Sequence, residues 1–358
     1  MIRALLSSDL PRSRAVAVLL VAIVVLLALV PFVLPGAKAL SVAAKIMVFI
    51  LLVASYDLLL GYTGIVSFAH TMFFGIGAYG VAIACTRIGP SWSALAVGVV
   101  CALVLSGLLA LAIGLFSLRV RAIFFAMITL AVASAFQTLA SQLSELTGGE
   151  DGLSFRLPQV LQPSFALLDE PFLGADLDGR FLSYYLVFFA TFVLFLLMLR
   201  IVNSPFGRVL QAIRENEFRA EALGYRVVVY RTLSTVLGAL FATCAGALLA
   251  VWLRYNGPDT SLSFEIMLDV LLIVVIGGMG TMYGAVIGSA FFVYAQSYLQ
   301  DLMKWISDGL QAVPLAAQFF SPDRWLLWLG LLFVLSVYYF PTGVVGRLRA
   351  AAQAKASR

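Results

Sequence analysis

Apolar runs of about membrane-spanning length alternate with short polar connections along nearly the whole chain. A helix needs about 20 mostly apolar residues to cross roughly 30 Å of hydrocarbon. Stretches of that kind lie near 15–34, 42–60, 67–86, 91–116, 122–142, 182–200, 232–252 and 325–340. A further run, 265–299, is long enough for two helices and is interrupted by Gly277, Gly278, Gly280 and Gly284, where a turn or broken helix fits. The pattern predicts an all-α fold: a polytopic transmembrane helix bundle of about ten spans, with glycine-rich helix breaks, in one membrane domain over 1–358.

Two connections depart from this rhythm. The segment 143–181 is too long for a passive turn, and Gly148, Gly149, Pro158, Pro163 and Pro171 argue against one long helix within it. It reads as a docking surface or a folded lid. The segment 201–231 contains a different periodicity: Phe206, Val209, Leu210, Ile213, Ala220 and Leu223 recur at helical spacing, and Arg208, Arg214, Glu215, Arg219 and Glu221 fill the remainder. Ser204 is a candidate N-cap, Pro205 suits the first helical position, and Gly224 stands where a left-handed residue ends a helix. This is an amphipathic helix outside the membrane, either resting on lipid headgroups or transmitting a partner's displacement to the spans it joins.

Composition sharpens the class. With 62% hydrophobic and 11% charged residues and a mean hydropathy of +1.03, the chain is far more apolar than a soluble domain, which carries roughly 25% charge. The net charge of +5 does not form the continuous basic patch that nucleic acid requires. It marks orientation instead, because cytoplasmic loops retain Lys and Arg. Ten crossings put both termini on one side, and with that side inside, 15 of the 23 Lys and Arg residues are cytoplasmic, including Arg119, Arg121, Arg347 and Arg349. The 143–181 connection then lies outside, holding Glu145, Glu150, Asp151, Asp169, Glu170, Asp176 and Asp178 against Arg156 and Arg180. The first apolar run follows Arg3, Arg12 and Arg14, but its core exceeds the 7–15 residues usual for a signal peptide. It reads as an uncleaved first span.

Chemistry of other kinds finds little support. Cys85, Cys101 and Cys244 form no metal-ligand spacing, and His70 is the single histidine, which leaves no second imidazole for a zinc site or a hydrolase triad. No GxxxxGK[ST] loop for phosphates is present. Asp57, His70 and Asp269 lie at membrane depth, where ionisable groups need partners or water. Asp57 and Asp269 precede the two glycine-rich breaks by similar distances, which suggests a duplicated structural cap, and His70 reads as a lock between two helices or a group in a polar path. An intramembrane enzyme would need paired carboxylates at short spacing, and an ion-coupled carrier would need no charged helix at 204–224.

Four segments carry a resemblance to a known family. Glu221-Ala222-Leu223-Gly224 resembles the Glu-Ala-Ala…Gly pattern in the cytoplasmic loop of ABC importer permeases. Gly61 to Tyr79 looks like the segment after the second span of LivM-type permeases of the branched-chain (hydrophobic) amino-acid importers; Thr147 to Leu153 looks like the Thr-Gly-Gly-x-x-Gly element of their external loop; and Ile276 to Ala285 is similar to their second glycine-rich break. The chain departs from that family at Asp57, Ile65 and Ala69, where Asn, Gln and Gly are frequent.

The resemblance implies a permease subunit without its own ATPase site, in the bacterial inner membrane, with both termini, the 201–231 coupling loop and the 341–358 tail cytoplasmic and the 143–181 loop periplasmic. It implies a second homologous permease, two ATP-binding subunits that hold ATP and Mg, and a periplasmic substrate-binding protein, with no cofactor in this chain. The ATPase-coupling residues would be Gly207, Arg208, Ala212, Ile213, Arg214, Glu215, Asn216, Glu217, Ala220, Glu221, Ala222, Leu223 and Gly224. The path would draw on Gly61, Tyr62, Gly64, Ser67, His70, Thr129, Gln137, Gly277 and Gly278. The expected cargo is a branched-chain or related amino acid; urea, an amide or an aromatic acid is the alternative within the family.

Overall fold

The computed structural model describes residues 14–34, 36–117, 122–166, 177–309, 321–339, 343, 345 and 346. Helices stand wherever the apolar runs predict them: α1 (Arg14–Val33), α2 (Ala37–Thr63), α3 (His70–Arg87), α4 (Trp92–Ser117), α5 (Ala122–Gln142) and α6 (Gly179–Asn203). Two short helices follow, α7 (Pro205–Glu215) and α8 (Glu217–Ala222), then α9 (Val227–Leu253), α10 (Phe264–Gly277), α11 (Met282–Gly309) and α12 (Trp325–Tyr339). Among the described residues, seven segments are long and apolar enough to cross a membrane: α1, α2, α4, α5, α6, α9, and α10 with the turn before it. The 265–299 run does divide in two, between Gly277 and Met282, whereas Gly284 lies inside α11.

α2, α3 and α9 form the centre. Nearly every residue of α2 from Val42 to Thr63 is buried, as expected for a helix that is apolar on all sides. The outer helices turn large apolar side chains outward, among them Val21 on α1, Leu108 on α4, Met127 on α5 and Val193 on α6. In water such a surface would associate; in lipid it is the surface to be expected.

Lipid offers no hydrophobic drive between helices, so close packing by small residues has to hold the centre together. A Cβ on Gly77 of α3 would overlap the Thr243 carbonyl of α9, and one on Gly246 of α9 would overlap the Phe74 carbonyl of α3. The two backbones therefore touch at two levels. Thr243 Oγ1 also donates to Ser106 Oγ of α4 at 2.7 Å. Of the cysteines, Cys85 is buried, Cys244 half-buried and Cys101 exposed, all three free.

The 143–166 segment is a folded lid. Gly148, Gly149 and Gly152 take φ of +78°, +65° and +70°, turning the chain back. Leu153–Ser154 (β1) then pairs antiparallel with Tyr255–Asn256 (β2), just past the end of α9. Phe155, Leu157 and Leu161 are buried against Val81, Ala82 and Val251. The acidic positions Asp169, Glu170 and Asp176, with Pro171, lie outside the described residues, as do Arg119, Arg121, Arg347, Arg349 and most of the 341–358 tail.

A Cβ on Gly152 would stand 2.6 Å from the Asn256 carbonyl, at a backbone conformation that side chains resist. Gly152→Ala is expected to cost about 1–3 kcal/mol locally and to free the lid from β2. Limited trypsinolysis would read this as faster cleavage after the exposed Arg156, and an unchanged rate would count against a lid held by the β1–β2 pairing.

Candidate functional site

The charged loop and the two glycine-rich breaks come together at one end of the bundle. Pro205 opens α7 as predicted, but Ser204 does not cap it: its hydroxyl turns back to donate to the Ile201 carbonyl at 2.6 Å. Gly207, Leu210 and Ile213 are the buried face of α7. Gly207 has no room for a side chain, since a Cβ there would overlap the Val202 carbonyl.

The single helix expected over 204–224 is in fact two. Asn216 is extended (φ −158°, ψ 100°), and its Oδ1 accepts from the Arg219 amide at 2.9 Å, which caps α8. An Asn side chain that bonds nearby amides competes with helix continuation, and here it wins. Gly224, with φ +91°, does end the second helix.

One further expectation for this loop needs correction. Leu223, assigned to the packed face, is 72% exposed, and Phe218 on α8 is 85% exposed. Glu217, among the expected coupling residues, is bound to Arg231 of α9 through two hydrogen bonds of 2.8 and 3.0 Å. That pair fastens α8 to a span, and Phe206 stacked on Tyr230 at 5.7 Å fastens α7 to the same helix. Arg208, Ala212, Glu215, Glu221 and Ala222 remain exposed, while Ala220 is buried.

Arg214 points the other way. Its Nη1 donates to the Gly61 carbonyl in the last turn of α2. At the same place Asp57 Oδ1 accepts from the Gly280 amide at 2.8 Å. A Cβ on Gly61 would overlap both Asp57 Oδ1 and the Gly280 nitrogen, and one on Gly280 would stand 2.8 Å from Arg214 Nη1. The first break (Gly61, Gly64), the second (Gly277, Gly278, Gly280) and a guanidinium from the loop thus form one junction. Asp57 is buried with Oδ2 unbonded, and the charge of the partly exposed Arg214 acts on it from the loop side.

The remaining path candidates are spread out. α2 ends on Gly64 in the left-handed region, and an irregular stretch to Ala69 follows in which Ser67 is buried. Thr129 Oγ1 of α5 accepts from the Phe68 amide at 3.0 Å, satisfying a backbone group that the break leaves free. His70 Nε2 lies 2.8 Å from Ser55 Oγ, with the Tyr56 ring edge-on at 5.3 Å. Since Ser55 donates to the Leu52 carbonyl, the imidazole donates to Ser55, and α2 and α3 are joined there. Tyr62 is buried in the same region. Gln137 stands apart, eight residues beyond Thr129 and so about 12 Å along α5.

Asp269 does not duplicate Asp57. It accepts from Gln296 Nε2 at 3.1 Å, and Gln296 Oε1 accepts from Lys45 Nζ at 3.0 Å. The cap expected twice is therefore one cap, reaching across to the other break, and one half-buried Lys–Gln–Asp chain of hydrogen bonds. Sequence reading missed Lys45, although a lone cation inside an apolar run is itself a signal. No cluster of metal-ligand type occurs among the described residues.

Comparison with known proteins bears on the whole arrangement. Residues 38–337 match the family model described as branched-chain amino acid transport system, permease component. The chain is similar to the high-affinity branched-chain amino acid transport system permease protein LivM of Escherichia coli K12, 27% identical over 307 residues that cover 80% of this chain and 69% of that one. The probable LivM of Methanocaldococcus jannaschii is 25% identical over 295 residues, covering 79% and 80%. The permease protein BraD of Pseudomonas aeruginosa is 26% identical over 310 residues, covering 83% and 91%. No solved structure matches the chain. With the model spanning both glycine breaks, the lid and the charged loop, this multi-pass membrane protein belongs to the branched-chain amino acid transport system permease family.

Proposed function

We propose that this chain is the membrane-spanning subunit of an ATP-driven importer for branched-chain amino acids, moved by separate ATPase subunits that grip α7 and α8. The reading rests on Arg214. A loop merely lying on headgroups has no need to send a guanidinium to the Gly61 carbonyl, where both helix breaks meet. A pull on α7 reaches that junction directly, because α7 is an eleven-residue helix with a buried face and packed helices shift as units.

In this reading the loop faces the cytoplasm of the inner membrane, and both termini share that side. The lid receives a periplasmic binding protein, and a second permease of the same family completes the path. The path itself passes the region of Gly61, Tyr62, Ser67, His70 and Thr129. The cargo follows from the relatives, each named for branched-chain amino acid transport.

Phe218 and Leu223 supply the anchor for the ATPase, being large apolar groups exposed on a charged surface. Replacing both by Asp is expected to weaken ATPase binding by about 2–4 kcal/mol, the range of interface anchors. Titration of the purified chain with its ATPase subunits measures it. Unchanged affinity, or leucine uptake that needs only an ion gradient and collapses with an ionophore, would sink the reading. The second outcome would instead favour a carrier using the Lys45–Gln296–Asp269 relay.

A further inference from the structure

One face of α2 carries two lysines, Lys38 and Lys45, about 10 Å apart along the helix. Lys38 pairs with Asp301 of α11 and stands over the Tyr298 ring at 5.0 Å. Lys45 makes no ion pair among the described residues. The Gln296 amide of α11 stands between it and Asp269 of α10. Lys45, Gln296 and Asp269 are each partly exposed, so all three are reached from outside the chain. A cation and a carboxylate turned to hydrocarbon are costly, and the lipid-facing helices show Val21, Leu108, Met127 and Val193 instead. This side of α2 therefore borders a polar space. Lys45 lies about 24 Å along α2 from Gly61 and the junction of the breaks, toward the end where Ala37 and Arg254 line one cavity.

The direction of the Gln296 amide identifies a ligand. Its Oε1 accepts from Lys45 Nζ at 3.0 Å, and its Nε2 donates to Asp269 Oδ2 at 3.1 Å. That orientation is forced, because an ammonium only donates and a carboxylate only accepts. An acceptor facing Lys45 and a donor facing Asp269, both on one small group, is also the pattern of an α-amino acid, whose carboxylate and ammonium stand one bond further apart. A lone anion would meet like charge at Asp269, and a lone cation would meet it at Lys45. Only a group carrying both charges suits both residues. Leu272, one turn along α10 from Asp269 and partly exposed, sets an apolar neighbour beside them for an aliphatic side chain.

We propose that Lys45 and Asp269 hold the zwitterionic head of an amino acid on its way through the membrane, its carboxylate replacing Gln296 Oε1 and its ammonium replacing Nε2. This role rests on the reading of the chain as an amino-acid importer. Between cargoes the Gln296 amide satisfies both charges, and the arriving zwitterion displaces it.

The test uses the complete importer in nanodiscs without its binding protein. It is titrated with leucine, with isocaproate, which lacks the ammonium, and with isoamylamine, which lacks the carboxylate, and saturation-transfer NMR reads the binding. The wild type is expected to prefer leucine to either analogue by about tenfold, and Asp269→Asn and Lys45→Met are each expected to weaken leucine by about tenfold or more. Asp269→Asn retains the partner of a carboxylate and should bind isocaproate at least as well as the wild type does. Lys45→Met should do the same for isoamylamine. A mere tie between helices gives another pattern: both variants lose all three ligands together, or both bind leucine as the wild type does. Either pattern would overturn the proposal, as would a wild type that binds leucine no better than the analogues. ATP-driven leucine uptake by the wild-type importer is measured alongside. Its absence would count against the importer reading, whereas uptake accompanied by an overturning pattern would count against the Lys45–Asp269 site alone.

Discussion

In vesicles carrying the complete importer, Arg214→Ala is expected to cut ATP-driven leucine uptake by at least tenfold while ATP hydrolysis continues. The alanine variant keeps the buried face of α7, since Gly207, Leu210 and Ile213 are untouched, so the ATPases still have a helix to hold. What it loses is the charged donor on the Gly61 carbonyl. Hydrogen bonds to charged groups are worth about 1.5–3 kcal/mol, which corresponds to roughly ten- to hundredfold in the balance between two conformations.

The loss falls at a point with no slack. Asp57, Gly61 and Gly280 are in contact there, and the charge of Arg214 that acts on the buried Asp57 would be gone. Arg214→Lys keeps the charge but not the planar fork and should lie between the two. Uptake at wild-type rates in the alanine variant would remove the central support for the proposed function.

Gly77→Val and Gly246→Val are expected to be strongly destabilising, each by about 3 kcal/mol or more. Both residues sit where α3 and α9 bring backbone against backbone, and an added Cβ would overlap a carbonyl in each case. A side chain can change rotamer to make room; a helical carbonyl is held by its own hydrogen bond. Gly107→Ala is the control. Its nearest neighbour would be Leu240 Cδ2 at 3.7 Å, an ordinary contact, and alanine favours a helix by about 1 kcal/mol over glycine. Thermal unfolding in detergent should place the first two well below the wild type and the control level with it or above. Equal stability for all three would show that the α3–α9 contact is not the close one described.

The long helices were legible because each contains enough apolar residues in one run to declare itself, and their ends fell within a few residues of the expected positions. The irregular stretch after Thr63 and the turn at 278–281 were legible through glycine. What could not be read was which distant residues meet. Asp57 and Gly280 are 223 positions apart, and Lys45 and Gln296 are 251 apart. Nothing in either local segment names the other, so similar spacing before the two breaks suggested a repeat that does not exist. The loop failed for a different reason. Its period of apolar positions continues through Asn216, and only the capping of Arg219 by that side chain reveals the corner. Leu223 was assigned inward on the same unbroken period, and the corner turns it outward.

α9 links the two faces of the protein as one piece of 27 residues, about 40 Å long. Near one tip it is clasped to α8 through Arg231 and Glu217, and just past the other it is stitched to the lid through β1 and β2. Under the proposed function, a binding protein seated on the lid and a motor beneath α8 would push on opposite ends of the same rod. In that reading, news of an occupied lid would need no relay of side chains to arrive at α8, because a rigid strut cannot tilt at one end alone.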